Sequence, residues 1–132
     1  YLRDLWYGNQ FSQVKIDGLV SYAGAIVDDR YVTKSNILPT VFIHGLSDDV
    51  VPSNNAPHRS CLDNQPGFLP LAGSQTLENL SRNYRQASLS IFSNSGKHEW
   101  SGLKKEYLNQ IFEFINQSII QSQKVNNRII VD

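Results

Sequence analysis

Two polar residues follow apolar runs in this chain, and their types suit proton transfer. The run Leu38-Pro39-Thr40-Val41-Phe42-Ile43 delivers His44-Gly45-Leu46-Ser47-Asp48-Asp49-Val50-Val51-Pro52, and Ser88 to Phe92 delivers Ser95-Gly96-Lys97-His98. An imidazole becomes an effective general base when a carboxylate accepts a hydrogen bond from one ring nitrogen, which fixes the tautomer and stabilises the imidazolium. Its other nitrogen can then take the proton of a hydroxyl nucleophile. Asp48 or its neighbour Asp49 can supply the carboxylate, and His98 the base. The geometry expected is Asp48 within roughly 2.6–3.2 Å of Nδ1 of His98, with Nε2 toward an open cleft or a serine.

The remaining polar residues fit less demanding roles. His44, at the end of an apolar run, is expected to pack or to support the site, and His58 to be solvated in a polar loop. No Gly-x-Ser-x-Gly occurs in the chain. Ser21 precedes Asp48 and His98, but its nearest glycines, Gly18 and Gly24, stand three positions away on each side. A strained turn that exposes a nucleophile needs small residues closer than that, and a helix after it. Ile26-Val27-Asp28-Asp29-Arg30-Tyr31-Val32-Thr33 is a poor helix former, rich in β-branched residues and aspartates. Ser21 is therefore not expected to be the nucleophile. The histidines lack ligand spacing and the one cysteine, Cys61, is isolated, so neither a metal site nor an internal disulfide is expected.

The elements that must position these residues can be read from periodicity. Leu2, Leu5 and Trp6 fall at helical spacing before Gly8-Asn9, as in the last turns of a helix. From Val14 to Tyr22 apolar and polar residues alternate as in a strand, apolar on both faces at its end and so expected to be covered on both sides. Residues 23–37 form a connection, and Leu38 to His44 a second buried strand. Ser53 to Pro70 is polar and proline-rich and is expected to be a long surface loop. From Leu71 to Gln86, Leu77, Leu80 and Tyr84 share a helical face. Ser88 to Phe92 is a short strand. Leu103, Tyr107, Leu108, Ile111, Phe112, Ile115 and Ile119 predict an amphipathic helix, and Arg128-Ile129-Ile130-Val131 a small strand or a trailing end.

Strands alternating with helices imply an α/β fold with a mainly parallel sheet flanked by helices. Ligands in such sheets bind at the carboxyl ends of the strands, where both Asp48 and His98 fall. Lys plus Arg and Asp plus Glu are each 12, giving no net charge and no basic stripe for nucleic acid. No run of about 18 apolar residues predicts a membrane span.

The chain resembles the C-terminal portion of α/β-hydrolase-fold esterases and lipases, and more narrowly the bacterial carboxylesterases that include feruloyl-esterase-like enzymes. The resemblance runs over roughly residues 14–120. It is carried by Ile16 to Ala25, which is similar to a strand ending in Ser-x-x-Gly-Ala, by Leu38 through Pro52, by Leu69-Pro70-Leu71-Ala72-Gly73-Ser74, and by Gly96-Lys97-His98. The spacing His-Gly-x-x-Asp-x-x-Val-Pro matches the family pattern with Asp48 as the acid. The resemblance implies that Asp48 is the triad acid, that His98 is the general base, and that the enzyme hydrolyses a small-molecule ester through an acyl-enzyme without cofactor.

At 132 residues the chain is shorter than the roughly 200–250 of such a domain. It has no Met and opens on Tyr1. Residues 1–132 are therefore expected to be the C-terminal part of a single hydrolase domain. The nucleophile would lie in an N-terminal portion that is its partner, and the chain alone is expected to be inactive. The alternatives are a peptidase of the same fold and a non-catalytic hydrolase-like binding module.

Overall fold

In the computed structural model, which describes residues 14–102 and 105–132, the two buried runs become adjacent central strands. Val41, Ile43, Leu89 and Ile91 are β-branched or bulky apolar residues that favour extended backbone between two covering layers. They lie in β3 (Thr40–Gly45) and β6 (Ser88–Ser93), every residue of which is buried. β1 (Leu19–Tyr22) pairs with β3, and β7 (Asn126–Val131) with β6, giving a parallel sheet of order β1-β3-β6-β7. A smaller antiparallel sheet has β5 (Pro70–Gly73) between β2 (Ala25–Ile26) and β4 (Asn55–Pro57). With helices α1 (Ser74–Asn83) and α2 (Leu108–Ile115), the fold is mixed α/β.

The two faces of the parallel sheet differ in chemistry. On one, Val41, Ile43, Leu89 and Ile91 pack with Ile111 and Phe114 of α2, and Trp100, Tyr107 and Ile129 close the edges. The other face carries Thr40, Phe42, His44, Ser88, Ser90 and Arg128 by strand alternation. There α1 lies across it, bonding His44 through Ser74 and Arg128 through Glu78. The buried positions of α1 are Ser74, Glu78 and Ser81, while Leu77, Leu80 and Tyr84 are only half-buried. The expected apolar face is thus displaced by a polar one, because the strands beneath offer polar partners.

Several elements depart from the sequence reading. The first strand begins only at Leu19, and Leu19 and Val20 are 49% and 42% exposed rather than covered on both sides. Within the described residues β1 is an edge strand, which explains the exposure. The polar Ser53–Pro70 stretch holds β4 and a 3-10 turn, His58–Ser60. Helix α1 starts at Ser74, not Leu71, because Pro70–Gly73 is drawn into the antiparallel sheet. The late helix is a composite of a 3-10 turn (Lys105–Tyr107), α2 and a π turn (Asn116–Ile120). Its buried stripe includes Phe114, whereas Phe112 is 63% exposed. The Arg128–Val131 segment is a full strand from Asn126. The helical turns read at Leu2–Trp6 lie outside the described residues. Among the described residues no helix is long and apolar enough to cross a membrane.

Candidate functional site

The chain leaves β3 at Gly45 and turns back at once, with the Asp48 N–H bonded to the Gly45 carbonyl. Asp48 then folds onto its own loop. Its Oδ1 accepts from the amides of Val50 at 2.8 Å and Val51 at 2.9 Å, the side-chain-to-backbone turn that short aspartates favour. This fixes the carboxylate plane and leaves Oδ2 for other donors.

His98 comes from the loop after β6, the neighbouring parallel strand, so both loops leave the same carboxyl edge. Backbone bonds join the two loops: Leu46 N–H to the Ser93 carbonyl at 2.7 Å, and Ser47 N–H to the Gly96 carbonyl at 3.1 Å. The Ser101 hydroxyl accepts from the Gly45 amide at 3.1 Å, and Ser47 Oγ donates to the Asn94 carbonyl at 2.8 Å. Close approach also demands glycine. A Cβ on Gly45 would stand 2.1 Å from the Gly96 carbonyl oxygen.

Held in this way, His98 places Nδ1 at 2.9 Å from Asp48 Oδ2, although the residues are 50 positions apart. This is the contact anticipated from the sequence. Asp48 is fully buried at its side chain, and His98 is 43% exposed. Burial alone would raise the Asp48 carboxyl, but hydrogen bonds from His98 and from the Val51 and Val50 amides outweigh it and hold the group below the ordinary 3.8. An ionised Asp48 accepts, so Nδ1 of His98 carries a hydrogen, which in the neutral ring leaves the lone pair on Nε2. Nε2 has no hydrogen-bond partner among the described residues.

The other sequence candidates fall elsewhere. Asp49 points away, 68% exposed at its side chain, with Lys97 Nζ at 4.0 Å. His44 is fully buried and sits beside the pair: its Nε2 lies 3.0 Å from the Val51 carbonyl and 3.2 Å from Asp48 Oδ2, and its Nδ1 meets the Ser74 hydroxyl. Burial pushes its imidazole below the ordinary 6.5, against the opposing pull of Val51 and Asp48. His58 is half-buried rather than solvated, inside the 3-10 turn. Ser21 is inside β1 opposite Phe42, and the chain goes on to β2 and a three-residue 3-10 turn, Asp29–Tyr31, rather than to a long helix.

Ser74 and Ser101 are the contributors that sequence reasoning missed. Nothing local marks them, because each acts on a strand distant in sequence. An apolar hollow of about 360 Å³ lies away from the pair, walled by Leu19, Ser21, Thr40, Phe42, Leu77 and Ser81. Among the described residues no group of three His, Cys, Asp or Glu side chains could hold a metal ion.

The arrangement can orient an imidazole, fix a hydrogen on its Nδ1 and stabilise the imidazolium once formed. No protein-family model, curated protein or solved structure matches the chain.

Proposed function

We propose that this chain supplies the acid and the general base of a serine ester hydrolase built on the α/β-hydrolase fold, with Asp48 as acid and His98 as base. The observation that carries the reading is the 2.9 Å contact between His98 Nδ1 and the buried Asp48 carboxylate. That contact sits at the carboxyl edge of a parallel sheet, where such sheets keep their chemistry. The His-Gly-x-x-Asp-x-x-Val-Pro spacing supports the same assignment. The nucleophile is then a serine outside the described residues, presented to the free Nε2 of His98.

In the reaction, Nε2 removes the serine proton as the hydroxyl attacks the ester carbonyl. It returns that proton to the leaving alcohol, and a water then repeats the sequence to release the acid. Asp48 stays ionised throughout. The substrate is a small-molecule carboxylic ester, and no cofactor takes part.

The test, made on the chain together with the N-terminal portion that would carry the serine, is labelling by a serine-directed fluorophosphonate alongside hydrolysis of p-nitrophenyl acetate. Labelling and turnover should both fall by at least about a thousandfold in His98→Ala, because triad members act as a unit. Turnover that survives in His98→Ala would remove the residue from the mechanism. A folded protein that is neither labelled nor active with that portion present would point instead to a non-catalytic module.

A further inference from the structure

His44 touches the site from behind, and its proton inventory can be worked out from its neighbours. Nε2 faces two groups that can only accept, the Val51 carbonyl at 3.0 Å and Asp48 Oδ2 at 3.2 Å. It must therefore carry the hydrogen. The ring is fully buried, and burial keeps it neutral. Nδ1 then has a lone pair, and the Ser74 hydroxyl donates to it. The two acceptors at Nε2 set the tautomer of His44, and the Ser74 hydroxyl donates to the lone pair left on Nδ1 and holds the ring in place.

The Val51 contact matters as much as the carboxylate contact. Val51 donates its own N–H to Asp48 Oδ1 at 2.9 Å while its carbonyl receives the His44 proton. His44 thus fixes the residue that fixes one carboxylate oxygen, and sets an N–H edge against the other oxygen. The charged or titratable groups facing His44 are Asp48 and, beyond it, His98.

We propose that His44, with its ring held by Ser74, is a positioning residue that keeps the Asp48 carboxylate aimed at His98. This rests on the hydrolase reading for its catalytic consequence, but not for its structural one. A relay from the first residue of α1 through β3 to the acid loop gives the polar seam beneath α1 a purpose that packing alone does not require. A residue that only filled space there would work as well with an apolar side chain.

The experiment reads the Nδ1–H proton of His98 by NMR, since an imidazole N–H bonded to a carboxylate resonates far downfield and exchanges slowly. It uses three variants of the protein. His44→Leu removes both ring nitrogens, His44→Gln restores one N–H donor near the Nε2 position, and Ser74→Ala leaves the ring but removes the hydroxyl that holds its Nδ1 side. The signal should shift or broaden in His44→Leu, recover in His44→Gln and weaken in Ser74→Ala. Ester turnover should fall on the order of 10- to 100-fold in His44→Leu with KM little changed, the scale expected when a catalytic group is misplaced by its support.

An unmoved His98 signal in a folded His44→Leu protein would overturn the proposal. If that variant does not fold, an unmoved signal in Ser74→Ala would do the same. His44→Gln behaving no better than His44→Leu would reduce His44 to packing. If the His98 signal responds as expected while neither the parent nor any variant hydrolyses esters with the N-terminal portion present, the positioning stands and the hydrolase reading falls.

Discussion

Asp48 accepts from two amides and from one imidazole, with a second imidazole against the same oxygen as the first, while among the described residues Asp49 beside it makes only a loose surface contact with Lys97. That contrast carries a prediction: Asp48→Asn should reduce ester turnover by orders of magnitude and Asp49→Asn by no more than about twofold, because only the first sets the tautomer of His98. Comparable losses in steady-state assays would overturn the assignment. The same two buried groups give stability a pH dependence whose parts can be separated. His44 is held below its ordinary 6.5 by burial, so the unfolded chain takes up a proton that the folded one refuses. Stability is then lost as pH falls below 6.5. Asp48 is held below 3.8 because its hydrogen bonds outweigh burial, so its contribution is present above that value and lost as pH falls through the depressed one. Thermal melts between neutral pH and pH 3 should show a first decline that shrinks in His44→Gln and a second, more acidic one that shrinks in Asp48→Asn. A first decline unchanged in His44→Gln would assign it to another group. At this scale the sequence already names Asp48 and His98, since a carboxylate and an imidazole behind apolar runs stand out. Ser74 stays hidden because its partner His44 is 30 positions away.

The acid and base loops meet because β3 and β6 are parallel neighbours with matched ends, His44 opposite Phe92 and Gly45 opposite Ser93. Gly45 is where the seam is tightest, since an added Cβ would strike the Gly96 carbonyl oxygen at 2.1 Å and the Lys97 carbonyl oxygen at 2.7 Å. These are backbone atoms and cannot swing aside. Gly45→Ala should therefore push the two loops apart, lowering stability by about 1–3 kcal/mol as overpacking does and breaking the Asp48–His98 contact. Urea denaturation and the His98 Nδ1–H signal measure the two effects. A variant with wild-type values of both would show that the loops can separate at no cost. The buried strands are legible in the sequence because each sends apolar side chains toward α2, Val41 and Ile43 from one and Leu89 and Ile91 from the other, although their opposite face is largely polar. β5 is not, because Pro70-Leu71-Ala72-Gly73 has turn composition, and what extends it is backbone pairing with β2 and β4. The stripe of α2 is legible in period but not in phase. Counting apolar residues at helical spacing admits Phe112 as readily as Phe114, and only the position of the sheet decides that Phe114 is buried.

At the scale of the whole fold, the apolar layer on one side of the sheet and the polar seam on the other are fastened differently. The α2 side is held by dispersion and apolar burial, which tolerate small shifts, whereas the α1 side is held by directional bonds to a fully buried carboxylate. Glu78 accepts from Arg82 on its own helix and from Arg128 on β7, the last strand of the parallel sheet. The Arg128 guanidinium also lies 5.6 Å from the centre of the Phe92 ring. The two arginines are similarly exposed, at 41% and 38% of their side chains, so solvent screening discounts both. They differ in what they connect. Arg82 closes an i,i+4 pair within one helix, worth about 0.5 kcal/mol. Arg128 joins helix to sheet, bonds both carboxylate oxygens and covers an aromatic ring. Its loss would leave Glu78 buried with a single partner on its own helix. Arg128→Ala should thus cost about 2–3 kcal/mol, below the full range for breaking a buried pair because Arg82 remains. Arg82→Ala should cost about 1 kcal/mol or less. Urea unfolding of the two variants decides the matter: equal costs would mean that Glu78 needs any cation rather than a bridge to the sheet. If Arg128→Ala also weakens the His98 Nδ1–H signal while Arg82→Ala does not, the seating of α1 on the sheet reaches the site through Ser74 at its first turn.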